Sequence, residues 1–400
     1  MAFGGKDRWL RSPHTLISLS RLADRGYISG SELAELSTAY SFLRRTEHVL
    51  QMENGIQTHT VPDEKDRREL VGRRMTFAAG GNFEADLRLN TENVARVFTR
   101  IFGEARLSEV KGTKHSVRTT PHDRVRSSVL ASIERSSVVF DPTESGNSVL
   151  DRLSVVSPHF SSLLAANPQI AAELPDPKLI GPGIDYVGKM LSAAVSARDF
   201  GHRLSAIRQT WSKCLFEIVV ADVFETIPVR ETRVLQTRLA EASIEAAIRI
   251  VNDQLANKYS VPSDALGLAV LALGKLGGGG LDYDSDLDLV LVYDESKPAP
   301  DGVTNAEFYG RAVETFVTTL SSMTRDGSLY RVDLRLRPYG KNGVITMPGD
   351  AFLSYFRETP EVWEMLAFVK LRAVGGDMTL GQRVEYETRR VIHERASTID

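Results

Sequence analysis

Gly267–Asp294 reads GLAVLALGKLGGGGLDYDSDLDLVLVYD, and this stretch decides the fold. Two runs rich in Leu and Val flank a glycine-rich loop, Gly277 to Gly280, and a short acidic turn. Each run has the length of a strand and is bounded by Gly or Asp, the pattern of a buried strand. Four successive glycines leave the backbone bare and free to take positive φ, so N–H groups can approach a phosphate. Asp286 and Asp288 open the second run, two residues apart. On a strand such side chains leave the same face, so the pair can share one divalent cation.

A third carboxylate comes from Leu329–Pro338, LYRVDLRLRP, which alternates strictly from Arg331 onward. The period of two predicts a strand with Val332, Leu334 and Leu336 facing a core. Asp333, Arg335 and Arg337 then share the other face. If the two strands are neighbours, Asp286, Asp288 and Asp333 converge. Hard cations such as Mg²⁺ take carboxylate and phosphate oxygens. Two such ions on three carboxylates can clamp the attacking and leaving oxygens of an in-line displacement. Asp333 can also draw the proton from an attacking hydroxyl. Arg335 and Arg337 suit phosphate oxygens. Lys275, beside Gly274, is placed to reach a β or γ phosphate, and Ser285 to donate to phosphate or cap the strand. No Walker loop is present, because Lys275 precedes the glycines. A glycine run, an Asp-x-Asp pair and a charged strand face each occur singly on ordinary surfaces. Their joint order and spacing point to metal-dependent nucleotidyl transfer.

The chain has 400 residues, 42% of them hydrophobic and 25% charged, as in an ordinary globular protein with more than one domain. The net charge of −3 does not support a general nucleic-acid binder. The most basic stretch, Arg106 to Arg126, lacks interleaved aromatics and reads as a solvated linker. The single cysteine, Cys214, excludes an intrachain disulfide, fits a reducing cytoplasm and is expected in a helical core. The N-terminus MAFGGKDRWLRSP has no apolar signal core. No apolar run approaches the ~20 residues of a membrane helix. The scattered histidines show no zinc-ligand spacing. The expectation is a cytoplasmic protein with neither membrane nor nucleic-acid partner.

The fold class expected is α+β, a small mixed sheet with mostly helical flanking domains. Helices are predicted from Thr15 to Gly26, from a Ser31 cap to Leu50, and from an Asn90 start to Phe102. On the second, Arg44, Arg45, Glu47 and His48 read as a solvated polar stripe. The turn Gln57 to Pro62 ends that unit. Residues 1–110 are taken as one helical domain. Residues 111–145 are a linker, with a short helix at Val125 to Ile133. Residues 146–258 are a second helical region, with one long helix from Ala194 to Phe224 and another from Thr232 to Leu255. Residues 259–400 form the catalytic domain, running into further helix. There Asn305 is expected to cap an amphipathic helix, Val344 to Met347 to form a short strand, and Phe352 to Phe356, Val362 to Val374 and Gly381 onward to be helical.

These residues resemble the bifunctional glutamine-synthetase adenylyltransferase/adenylyl-removing enzymes, of the DNA-polymerase-beta-like nucleotidyltransferase superfamily. The family pattern GKLGG-x-EL-x-x-x-SD-x-DL is similar to Gly274 through Leu289, GKLGGGGLDYDSDLDL. DLRLRP at Asp333 to Pro338 resembles its second block. Trp363, Glu364, Ala367, Lys370 and Arg372 resemble a later one. Phe42 to Gln51 and Gln57 to Pro62 resemble the helical region after the family's first catalytic half. The resemblance implies a polymerase-beta-like catalytic domain that uses Mg²⁺ and ATP to adenylylate a tyrosine of glutamine synthetase. Metal ligands would be Asp286, Asp288 and Asp333. Nucleotide contacts would come from Gly274, Lys275, Gly277, Gly278, Ser285, Arg335 and Arg337. It further implies a PII signal protein and glutamine as regulators, a start late in the removing half, and a family helical region beyond Asp400. Phosphorolytic de-adenylylation, a non-catalytic fragment that binds glutamine synthetase or PII, and transfer of another nucleotide such as UMP stay open. Gly280 departs from the family pattern, which has Glu there.

Overall fold

The computed structural model describes residues 7, 10, 15–54, 60–75, 83–102, 130–132, 144–157, 160–161, 163–164, 167, 169–170, 173–177, 180–181, 183–262, 266–297, 299–340, 343–358 and 362–396. Most of the expected linker, the basic stretch Arg106 to Arg126 and Gln57 to His59 lie outside the described residues. The chain divides into two compact units, with the boundary between Asp176 and Pro177.

The first unit is helical: α1 (Thr15–Asp24), α2 (Gly30–Asn54), α3 (Lys65–Arg74), α4 (Phe83–Phe102) and α5 (Glu144–Val156). The cap of α2 is Ser29, not Ser31. Its hydroxyl accepts from Glu32 N–H while Glu32 accepts from Ser29 N–H, a reciprocal box that satisfies two amides. The Arg100 guanidinium of α4 binds the same Glu32 carboxylate at 2.7 Å. α4 begins at Phe83 rather than Asn90, whose side chain instead donates back to Asp86 O. Phe83 joins Leu50, Val71 and Met75 in the core, which explains the earlier start. The polar stripe of α2 is not solvated. Glu47, His48 and Gln51 are buried.

The second unit opens with α6 (Tyr186–Val195), α7 (Phe200–Val223) and the 31-residue α8 (Val229–Tyr259). The single helix expected from Ala194 is two, because Asp199 turns its carboxylate onto His202 N–H and starts a new one. Cys214 is buried in α7, and burial pushes its thiol up to about 12. Then follow β1 (Leu268–Ala272), α9 (Gly274–Gly277), β2 (Leu287–Tyr293), α10 (Asn305–Ser321), β3 (Val332–Asp333), β4 (Met347–Pro348), α11 (Gly349–Glu358), α12 (Val362–Phe368), β5 (Arg372–Gly376) and α13 (Met378–Ala396). Thr304, not Asn305, caps α10 through Glu307 N–H.

The five strands form a mixed sheet ordered β3-β2-β1-β5, with β4 also on β2. β1 runs antiparallel to β2 and β5, while β3 and β4 run parallel to β2. β1 is buried throughout, as its unbroken apolar run requires. A core of Leu271, Val292, Phe352, Phe356, Phe368 and Val384 joins the sheet to α11, α12 and α13. α8 packs on β5 and on α10. Gly375 lets α8 come close, since a Cβ there would stand 2.8 Å from Ile244 Cγ2. Residues 372–374, expected to end a helix that began at Val362, belong instead to strand β5, because this segment completes the sheet beside β1.

Arg208 of α7 is fully buried and organises the approach to β3. Its guanidinium donates to the carbonyls of Leu204, Gly327, Thr319 and Ser322 and to the Ser322 hydroxyl. Asp326 in the same turn accepts from Gln209 of α7. Replacing Arg208 with Leu would strand these acceptors. The substitution is expected to cost about 3–5 kcal/mol, read as a lower urea midpoint with both helical and near-ultraviolet signals.

Candidate active site

β1 and β2 present the ends from which the site is built. β1 runs into Leu273 and the single turn α9, where Gly274 takes φ +55°. A Cβ at Gly274 would overlap Oδ2 of Asp288, so this position admits the aspartate only because it is glycine. Gly277 is equally confined, by the carbonyls of Lys370 and Ala272. Of the four loop glycines Gly279 alone adopts positive φ, at +70°. A Cβ at Gly278 would stand 3.2 Å from Cδ of Lys370, whereas one at Gly280 would meet open space.

Asp288 lies in β2 directly opposite Asp333 of the parallel β3. The two sequence-predicted strands are therefore neighbours, and their carboxylates share a register. Asp286 sits one residue before β2 and is exposed. Burial raises the pKa of the half-buried Asp288 carboxyl above its usual value. The charges of Asp333 and Asp286 raise it further, while Arg335 and Lys275 pull it down. Arginines already cover its two neighbours. Arg331 Nε stands 2.5 Å from Asp286 Oδ1, and its Nη2 3.2 Å from Asp284. Arg335 Nε stands 2.8 Å from Asp333 Oδ2.

β3 is much shorter than the alternating pattern of Leu329–Pro338 predicts. Asp333 Oδ1 accepts from Arg335 N–H, and this Asx-type turn ends the strand at once. Arg335 thus folds back onto Asp333 instead of standing beside it on a pleat. Arg337 leaves that face altogether and donates to the carbonyls of Gly343 and Leu334. Leu336 does reach the core, packing against the apolar cluster under the sheet.

Lys275 does not point free into solvent. Its Nζ lies 2.8 Å from Oδ2 of Asp282, whose side chain is fully buried, and Arg233 of α8 lies 2.6 Å from the other oxygen. Ser285 is buried, and its hydroxyl has no hydrogen-bond partner among the described residues.

Sequence reasoning passed over Asp282, Arg233 and Arg331. Arg331 was legible, since it has the strand parity of Asp333. Asp282 read as one residue of an acidic turn, and nothing local signalled that α8 would meet it.

Among the described residues no three acidic, histidine or cysteine side chains enclose an ion unaided. An all-carboxylate set with net mutual repulsion at Asp288 nevertheless fits a hard divalent cation completed by phosphate oxygens.

Residues 148–387 match the family model for glutamate-ammonia ligase adenylyltransferase. The chain belongs to this family. Residues 8–102 match a second model, GlnD PII-uridylyltransferase. The chain is 29% identical to the bifunctional glutamine synthetase adenylyltransferase/adenylyl-removing enzyme of Methylococcus capsulatus, a match covering 97% of this chain and 50% of that protein. It is 26% identical to the protein of the same name from Rhodopseudomonas palustris (strain TIE-1), covering 97% and 47%. The chain thus spans about half the length of the curated relatives it matches. No helix among the described residues is long and apolar enough to cross a membrane.

The raised Asp288 pKa has a thermodynamic consequence. The folded state binds this proton more tightly than the unfolded chain does. Its contribution favours folding at low pH and is lost as pH rises through the raised value. Asp288→Asn removes that penalty. Its thermal midpoint at neutral pH, without nucleotide, is expected to rise by about 2 °C over the unsubstituted chain. The difference should vanish below about pH 4, where the aspartate is protonated in both states. Calorimetric scans across pH check this.

Proposed function

We propose that this chain transfers the adenylyl group of ATP to a tyrosine hydroxyl of glutamine synthetase. The observation that carries the reading is the register of Asp288 with Asp333 beside the glycine loop. In this reading the sheet is a polymerase-beta-like nucleotidyltransferase core. Residues 259–400 form the catalytic domain, residues 146–258 its helical region, and residues 1–110 the helical end of the adenylyl-removing half, joined by a linker at 111–145.

The chemistry follows from the residues. Lys275, the amides of the glycine loop and Ser285 bind the triphosphate. The Ser285 hydroxyl, buried with no hydrogen-bond partner among the described residues, can donate. Arg331 and Arg335 turn from their aspartates to phosphate oxygens as these arrive. Asp286, Asp288 and Asp333 would hold two Mg²⁺ ions, which when bound neutralise charge on the reacting phosphoryl group. Asp333, released by Arg335, accepts the proton of the tyrosine hydroxyl. The tyrosine oxygen forms a bond to the α-phosphorus, the bond from that phosphorus to the bridging oxygen breaks, and pyrophosphate leaves. Arg337 supports the loop that positions Arg335 rather than touching phosphate.

A cytoplasmic setting, a PII signal protein as regulatory partner and glutamine as effector complete the reading. The match of residues 8–102 to a PII-uridylyltransferase family supports the PII assignment. The relatives are named for adenylyl removal as well as transfer, which supports the phosphorolytic direction as a second reading.

Incubation with labelled ATP, Mg²⁺ and glutamine synthetase is expected to label the synthetase. Asp286→Asn/Asp288→Asn should abolish the label, and persistence would overturn the site assignment. Phosphate-dependent ADP release from adenylylated synthetase, without forward transfer, would favour the second reading. Gly274→Ala, which pushes Asp288 aside, should lower kcat by at least about 100-fold, the scale of a misplaced catalytic group.

A further inference from the structure

Arg233, Thr237 and Glu241 stand four residues apart on α8 and so form one row along that helix. Each reaches a different part of the glycine loop. Arg233 pairs with Asp282 at 2.6 Å. The Thr237 hydroxyl accepts from Leu281 N–H at 3.0 Å. Glu241 pairs with Arg372 of β5 at 2.6 Å. The same Arg372 guanidinium donates to the carbonyls of Leu276 and Gly277, at 2.8 and 3.2 Å. The loop is thus held from its first turn to its exit by a helix outside the strands that carry the aspartates.

The charges add a second effect. Asp282 is one buried carboxylate between two cations, Arg233 and Lys275. The group keeps a surplus of one positive charge. Arg233 is the more enclosed cation, its side chain 11% exposed against 23% for Lys275. The surplus therefore falls at the mouth of the site, on the lysine. Without Arg233, Lys275 and Asp282 would close as a neutral pair.

We propose that the α8 row Arg233–Thr237–Glu241 is the positioning element of the phosphate loop. It fixes the loop backbone and, through Arg233, leaves Lys275 with a charge to offer the triphosphate. The inference rests on the loop being the nucleotide site. None of the three is a catalytic residue. Their effect on the nucleotide passes through Asp282, Leu281 and Arg372.

The test is calorimetric titration of the 400-residue chain with Mg²⁺-ATP, alongside AMP transfer to glutamine synthetase. Arg233→Gln and Glu241→Ala are each expected to raise the Kd for Mg²⁺-ATP about ten-fold, the scale of one lost charge-assisted contact. The loss should appear in KM for ATP more than in kcat. Arg233→Lys, which keeps the charge, should recover most of the affinity. A merely structural role would lower the folded fraction, seen by circular dichroism, and leave Kd unmoved. Folded variants that bind as tightly as the unsubstituted chain would overturn the proposal. Should Arg233→Gln not fold, Glu241→Ala at the half-exposed ion pair decides alone. No Mg²⁺-ATP binding by the unsubstituted chain would overturn the nucleotide-site reading and this inference together.

Discussion

A carboxylate with no exposed surface needs partners that offset a desolvation cost of several kcal/mol. Asp282 has Arg233 and Lys275 beside it, and the loop takes its shape around that arrangement. The residues on either side are tied down as well. Leu281 donates its amide to Thr237, and the Tyr283 hydroxyl donates to Asp222 of α7 at 3.0 Å. Asp222 in turn accepts from Thr232 near the start of α8. Three consecutive residues are thus anchored to two helices before the chain enters β2. The position of Asp288 follows from this on one side, and from Gly274 on the other.

The acidic end of the sheet shows the opposite tactic. Asp286 is exposed and Asp333 partly buried, and the exposed Arg331 and Arg335 occupy them from the solvent side. Among the described residues no arginine pairs directly with Asp288, whose carboxyl is raised by burial and by both neighbours and only partly relieved by Arg335 and Lys275. The permanent ion pair sits in the interior, where breaking it would be costly. The exchangeable ones sit at the mouth, where solvent screening makes them weak. That division lets the proposed site exchange its counter-charges without disturbing the loop beneath.

The stretch from Gly267 to Asp294 was legible because both of its strands are buried on two faces and its loop is local. Strand parity also gave the face on which Asp333 stands, but that this face meets Asp288 was a condition of the reading and is supplied by the pairing of β3 with β2. The failures are also physical. Val332 begins a pattern of period two that continues to Arg337, but Asp333 caps its own turn and stops the strand. Ser29 and Thr304 displaced the caps expected at Ser31 and Asn305 by a residue or two, the usual range for helix ends. Glu47 and His48 look solvated in a helical wheel, yet the first unit buries them. Arg233 and Arg208 carry no motif, because their partners lie tens of residues away and appear only once α7 and α8 have packed.

The row on α8 also bears on how this molecule can be divided. A boundary drawn at Ser260, where α8 ends in a left-handed residue, looks natural on the sequence. Cutting there would leave Asp282 facing one cation instead of two, take the acceptor from the Leu281 amide and remove the Glu241 partner of Arg372. The strands and the long helix are therefore one structural module, and a fragment starting after Ser260 would carry the aspartates without the side chains that fix their loop.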